Sequence, residues 1–167
     1  STGQTYKNGL SNSSGDMAWS SDGRYLFYVL RDQETLLPFK LFRHEIGSSQ
    51  SEDVLVYEEK DPTFYLSVGN SRSMQFIEIN ISSTTSSEVR LINADSPEEP
   101  PYMFLKRESD HLYSVEHDPE DNRFLVETNW LAKNFRLMAI DLKKSADKNE
   151  WIELIPHRED TLLQSAL

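Results

Sequence analysis

At 167 residues the chain is long enough for one good core and, as a length prior, one domain. Its 37% hydrophobic and 11% aromatic content sets it apart from a disordered tail. With 17 Lys plus Arg against 28 Asp plus Glu the formal charge is −11, which argues against nucleic acid, whose phosphates reward basic patches, and the lack of Cys excludes disulfides, thiolate catalysis and Cys-based zinc sites.

Taken in chain order, the apolar runs are short and separated by turn residues. Thr2 to Tyr6 resembles a turn leading into an outer strand over residues 1–10, and Ser11 to Gly15 is a polar break. Asp16 then opens Met17-Ala18-Trp19, and Asp22-Gly23 is a hairpin turn signal before the aromatic and β-branched run Arg24 to Val29. Third and fourth runs follow at Phe39 to Ile46 and Val54 to Tyr57, across the break from Gly47 to Asp53. Asp61 starts a second set with Phe64-Tyr65-Leu66, turns at Asn70-Ser71, and continues through Ser87 to Ile92 and Tyr102 to Leu105. Asp110 starts a third with Leu112-Tyr113, turns at Asp121-Asn122, and continues through Phe135 to Leu142 and Trp151 to Ile155. Asp160 precedes Leu162-Leu163, where a further first strand is expected.

These sets repeat. The four Asp residues are spaced by 45, 49 and 50 positions. Arg24, Arg72 and Arg123 step by 48 and 51, Arg43, Arg90 and Arg136 by 47 and 46, and Val54, Tyr102 and Trp151 by 48 and 49. Four short strands per repeat of that length fit the blade of a β-propeller. The expected architecture is all-β: four-stranded antiparallel blades at 16–58, 61–107 and 110–156, a trailing outer strand over 1–10 and the first strand of another blade over 160–167. No window carries a sustained helical stripe with start and stop signals, and an immunoglobulin-like sandwich does not explain the self-similarity. Three units are fewer than the 4–8 blades that close a propeller, so the sequence reads as a piece of a longer protein. Such an open arc leaves apolar faces uncovered, and the isolated piece is expected to self-associate or else to be marginally stable.

The residues that could carry chemistry are few. His44, His111, His117 and His157 fall at different repeat positions and read as solvated loop histidines, although His111, His117 and Asp118 could in principle gather a metal. Asp118, Glu120 and Asp121 break the calcium-loop pattern, interrupted by Pro119. Asn12-Ser13-Ser14 and Asn80-Ile81-Ser82 match a glycosylation acceptor, a frequent three-residue coincidence. Gly69-Asn70-Ser71-Arg72-Ser73 lacks the second Gly of a nucleophile elbow and falls in a blade turn. No cofactor or metal is expected. If Asp16, Asp61, Asp110 and Asp160 open successive innermost strands, they form an arc of carboxylates at one rim of the central tunnel, able to draw cationic ligands; alternatively each fixes its own loop by accepting backbone N–H bonds. Glu58-Glu59 beside Asp61 adds to the negative charge there. Trp19, Phe27, Tyr65, Phe76, Tyr113 and Phe124 are expected in the core between blades, and Trp130 and Trp151 at an exposed rim.

Local words then point to a family. Leu36-Leu37-Pro38-Phe39, Arg43 to Gly47, Val56 to Asp61, Thr84 to Leu91, Lys133-Asn134-Phe135 and Trp151 to Pro156 closely resemble, in the same order, oligopeptidase B (protease II), of the prolyl oligopeptidase group of serine peptidases. The resemblance covers about Trp19 to Pro156. It implies an N-terminal propeller capping a C-terminal α/β-hydrolase domain in the same chain. That domain supplies the Ser, Asp and His triad and cleaves short peptides after Lys or Arg, while the propeller keeps folded proteins out. None of the triad can be carried onto this sequence, so it is expected to be the non-catalytic gate. The alternative is a self-standing propeller that serves as a protein-interaction scaffold. With no run of eighteen apolar residues and no signal-peptide pattern, the expectation is a soluble, cytoplasmic chain that does not enter a membrane.

Overall fold

In the computed structural model, which describes residues 9–164, twelve strands form three four-stranded antiparallel sheets, each built from consecutive strands. The first holds β1 (Ser13–Trp19), β2 (Tyr25–Arg31), β3 (Pro38–Glu45) and β4 (Val54–Glu58). The second holds β5 (Tyr65–Asn70), β6 (Phe76–Ser82), β7 (Ser87–Asn93) and β8 (Tyr102–Leu105). The third holds β9 (Tyr113–Asp118), β10 (Arg123–Thr128), β11 (Arg136–Ile140) and β12 (Ile152–Ile155). These are three blades of a β-propeller.

The turns form where the sequence can bend. Gly23 and Asn122 take left-handed φ values of 69° and 49° in the β1–β2 and β9–β10 hairpins. In the β2–β3 loop the Asp32 carboxylate accepts the amides of Glu34 and Thr35 and the Thr35 hydroxyl, which holds the bend. The stretch from Ser11 to Gly15 differs from the sequence expectation. Strand β1 already begins at Ser13, with its register to β2 shifting between Ser13 and Met17 where Gly15 sits at φ 102°. A polar composition hid this strand because a bulge tolerates residues that a regular ladder disfavours. Arg158 and Thr161 make an isolated bridge, while the expected turn at Thr2 to Tyr6 and the last residues of the expected strand over 160–167 lie outside the described residues.

Blade faces pack on one another, so the core lies in the seams. Between the first two blades Ala18, Phe27, Val29 and Leu41 meet Leu66, Ile77, Ile79 and Ile81. Between the second and third, Val89, Leu91 and Phe104 meet Tyr113, Val115, Phe124 and Val126. Strand β6 shows the logic: Ile77, Ile79 and Ile81 are fully buried toward the first blade, and the alternate residues Phe76, Glu78 and Asn80 face the third. Burying each such side chain contributes about 1.5–3 kcal/mol.

Backbone and polar contacts stitch the seams at both ends. At one end the Ser21 amide donates to the Ala94 carbonyl at 2.9 Å and Arg43 Nη1 to the Pro97 carbonyl at 2.8 Å. The guanidinium groups of Arg24 and Arg43 each lie over the Tyr25 ring, 5.1 Å from its centroid. At the other end the Ser87 amide donates to the His111 carbonyl at 3.0 Å.

Candidate functional site

The four Asp residues do not share one position. Asp61 lies in the loop that enters β5, where its carboxylate accepts the Thr63 hydroxyl at 2.7 Å and the Thr63 amide at 3.0 Å. Those bonds, the hydroxyl first, hold its carboxyl below the ordinary range, so the exposed group stays ionised. Asp110 has the corresponding place ahead of β9, at φ 59°, with its carbonyl accepting Asn129 Nδ2 at 3.1 Å. Asp160 is exposed and bonded to Arg158 through both carboxylate oxygens, at 3.2 and 3.1 Å, so its charge is largely matched. Asp16 departs from the expectation. It sits inside β1, not at its start, and accepts a hydrogen bond from the Ser14 hydroxyl at 3.1 Å. The physical reason is the early start of β1 at Ser13, and the short first step of 45 positions was its trace in the sequence.

Next to Asp61 is a site that sequence reasoning registered only as a run of charge. Glu59, buried at the end of the first blade, receives Arg107 from the second through two bonds, Nη1 to Oε2 at 2.9 Å and Nη2 to Oε1 at 3.2 Å. The same carboxylate accepts the Asp61 amide at 2.8 Å and the Tyr57 hydroxyl at 3.1 Å. Burial opposes the ionised form of Glu59, but the bonds from Arg107, the Asp61 amide and Tyr57 outweigh it and hold the carboxyl below its usual value. Buried Glu88 accepts Arg90 Nε at 2.8 Å and lies 4.0 Å from Arg107 Nε. Arg107 stacks over Phe64 at 4.0 Å and Arg90 over Tyr57 at 4.8 Å. The cluster fixes the path of the loop that carries Asp61 into the innermost strand.

The histidines correct the sequence reading. Three of the four are buried and hydrogen-bonded, not solvated. His44 Nδ1 is 2.7 Å from Asp53 Oδ1, which shares its carboxylate with the Tyr28 hydroxyl at 2.7 Å. His111 Nε2 is 2.8 Å from Thr128 Oγ1, and burial first, then Lys148, lowers the pKa of its imidazole. His117 Nδ1 is 2.9 Å from Ser73 Oγ, with its ring among Phe76 and Phe124 at 4.8 and 5.0 Å. This Ser–His contact, its imidazole packed against two phenyl rings, braces the seam between the second and third blades. Among the described residues no three His, Cys, Asp or Glu side chains gather as a metal site.

Three aromatic expectations also change. Trp19 and Tyr65 are exposed, at 43% and 57%, because both alternate out of the seam between the first two blades. Trp151 is buried, edge-on to Trp130 at 6.0 Å, with its indole N–H donating to the Ser145 carbonyl at 2.9 Å. Phe27, Tyr113 and Phe124 are buried as expected.

Comparison with known proteins places this geometry. The family described as "Prolyl oligopeptidase, N-terminal beta-propeller domain" matches residues 1–167. The chain is 37% identical over 164 residues to dipeptidyl aminopeptidase BI of Pseudoxanthomonas mexicana, covering 98% of this chain and 22% of that protein. It is 37% identical over 150 residues to protease 2 of Moraxella lacunata, covering 90% of this chain and 21% of that protein. Oligopeptidase B from Leishmania major superposes with a TM-score of 0.88 at 29% identity, over 98% of this chain and 22% of that one. The chain thus spans about a fifth of the length of the relatives it matches.

Proposed function

The chain belongs to the prolyl oligopeptidase family, within its N-terminal β-propeller domain, and on that premise we propose that it is the non-catalytic, substrate-gating part of a serine oligopeptidase that cleaves short peptides after Lys or Arg. The observation that carries this reading is the likeness to oligopeptidase B across 98% of the chain, together with the identity to protease 2. In it the catalytic triad belongs to a hydrolase domain of the same parent chain, and the propeller admits peptides thin enough to reach that domain. The two bacterial relatives bear the names of a dipeptidyl aminopeptidase and a protease. In this reading the hydrolase domain makes the choice of bond, and this chain selects by size and charge.

Charge selection rests on the excess of 28 acidic over 17 basic residues and on the exposed carboxylates of Asp61 and Asp110. A passage lined by one sign of charge concentrates ligands of the other sign. Asp16 within its strand and Asp160 with Arg158 contribute less in this reading. The parent is a cytoplasmic enzyme working on short basic peptides.

The test uses the full-length protein and one Arg-containing sequence presented twice, as a short free peptide and as a surface segment of a folded carrier. Cleavage of the free peptide alone supports the gate. Comparable cleavage of both contradicts it.

A further inference from the structure

The seam between the second and third blades contains a half-buried acidic side chain with one unpartnered oxygen. Glu78, on the face of β6 toward the third blade, has its Oε1 sealed from solvent without a hydrogen bond. Its neighbours in the sheet are uncharged: Gly69 opposite on β5 and Leu91 opposite on β7, with Phe76 and Asn80 flanking it on its own strand. From the third blade, Glu116 of β9 acts on it with like charge, and Phe124 of β10 packs against Phe76 at 5.1 Å. Glu116 also helps to hold the two blades together here. Its Oε1 accepts the Arg72 amide at 3.0 Å, its Oε2 lies 3.7 Å from Arg72 Nε, and the adjacent His117 is bonded to Ser73 of the same turn.

We propose that this seam is a proton-operated latch, closed while the Glu78 carboxyl is protonated and loosened when it ionises beside Glu116. A neutral carboxyl fits a site that offers it no cation, whereas a carboxylate there has one oxygen sealed and unpaired and stands next to a second negative charge. The charge is relieved most simply by parting Glu78 from Glu116, which strains the Arg72–Glu116 contact. Burial first, and Glu116 second, push Glu78 from its ordinary 4.5 up to about 8. Since the folded value is raised, the stability that the protonated group contributes is complete below 4.5 and is lost as pH rises through about 8. The matching clasp between the first two blades, Asn70 on the backbone of Trp19, contains no titratable side chain and supplies an internal control.

Amide hydrogen exchange of the full-length protein, corrected for the intrinsic pH dependence of exchange, reads the latch. Between pH 6.5 and 8 protection of residues 71–75 should fall by more than tenfold, about a factor of ten per unit of pH below the folded value, and level off above it, while the amide of Trp19 is unchanged. Glu78→Gln should abolish the pH response, and Glu116→Gln should move its midpoint to lower pH. Unchanged protection in the wild type, an equal loss in Glu78→Gln, or an unmoved midpoint in Glu116→Gln would overturn the proposal.

Discussion

Asn70, at the end of β5, closes both backbone groups of Trp19, at the end of β1: its Oδ1 accepts the Trp19 amide at 2.8 Å and its Nδ2 donates to the Trp19 carbonyl at 2.9 Å. One amide side chain thus does for two blades what a ladder rung does within one. Asn70→Ala leaves both groups without this partner and is expected to cost about 1–2 kcal/mol, seen as a lower unfolding midpoint. Asn70→Asp keeps an acceptor for the amide but turns an oxygen toward the Trp19 carbonyl, so it should not restore stability.

Glu59 and Arg107 join the same two blades by charge. Arg107→Ala leaves the buried Glu59 carboxylate without its cation. The loss should be about 2–3 kcal/mol, below that of a fully buried pair because Arg107 keeps some solvent contact. Glu59 also sets an acid limit. Its folded value is depressed, so its stabilisation is present above about 4.5 and disappears as pH falls below that. In Glu59→Gln the acid-side drop in stability should be smaller, measured by denaturant titration at pH 3 to 6.

His111 works in a higher range of pH. Its imidazole is held neutral by burial, while the unfolded chain takes up a proton near the ordinary 6.5. Stability from this group is therefore complete above 6.5 and declines as pH falls below it. Thermal midpoints between pH 7.5 and 5 should show this slope in the wild type, and His111→Gln should flatten it.

Trp151 anchors the long connection between β11 and β12. It is 6% exposed and tied to Ser145, whose hydroxyl donates to the Phe104 carbonyl of the second blade at 2.6 Å. Trp151→Ala should cost about 3–5 kcal/mol. Trp151→Phe, which keeps the ring and loses the N–H, should cost clearly less on the same equilibrium curve.

The blades were legible in the sequence because their strands are short, apolar and periodic, and because Asp22-Gly23 and Asp121-Asn122 can only be turns. What escaped was everything that depends on which neighbour a face meets. Alternation along β1 and β5 is visible, but only the packed blades show that Trp19 and Tyr65 lie on the outward side. A histidine in a polar stretch reads as solvated, and nothing local reveals that Thr128 of β10 or Ser73 of the β5–β6 turn comes to bond it. Asn70, expected in a turn, ends β5 and spans a seam. Glu59 and Arg107 lie 48 positions apart, so the charge run at Glu58-Glu59 gave no sign that its second member is buried. The Asp arc was half legible: Asp61 and Asp110 enter equivalent strands, while the bulge at Gly15 placed Asp16 elsewhere.

Peptidase activity on a short Arg-containing chromogenic substrate, assayed in parallel on this chain and on the full-length protein, tests the central claim most directly. The account predicts cleavage by the full-length protein, blocked by a serine-directed reagent, and none by the purified chain. Activity in the purified chain, or none in a folded full-length protein, would contradict it.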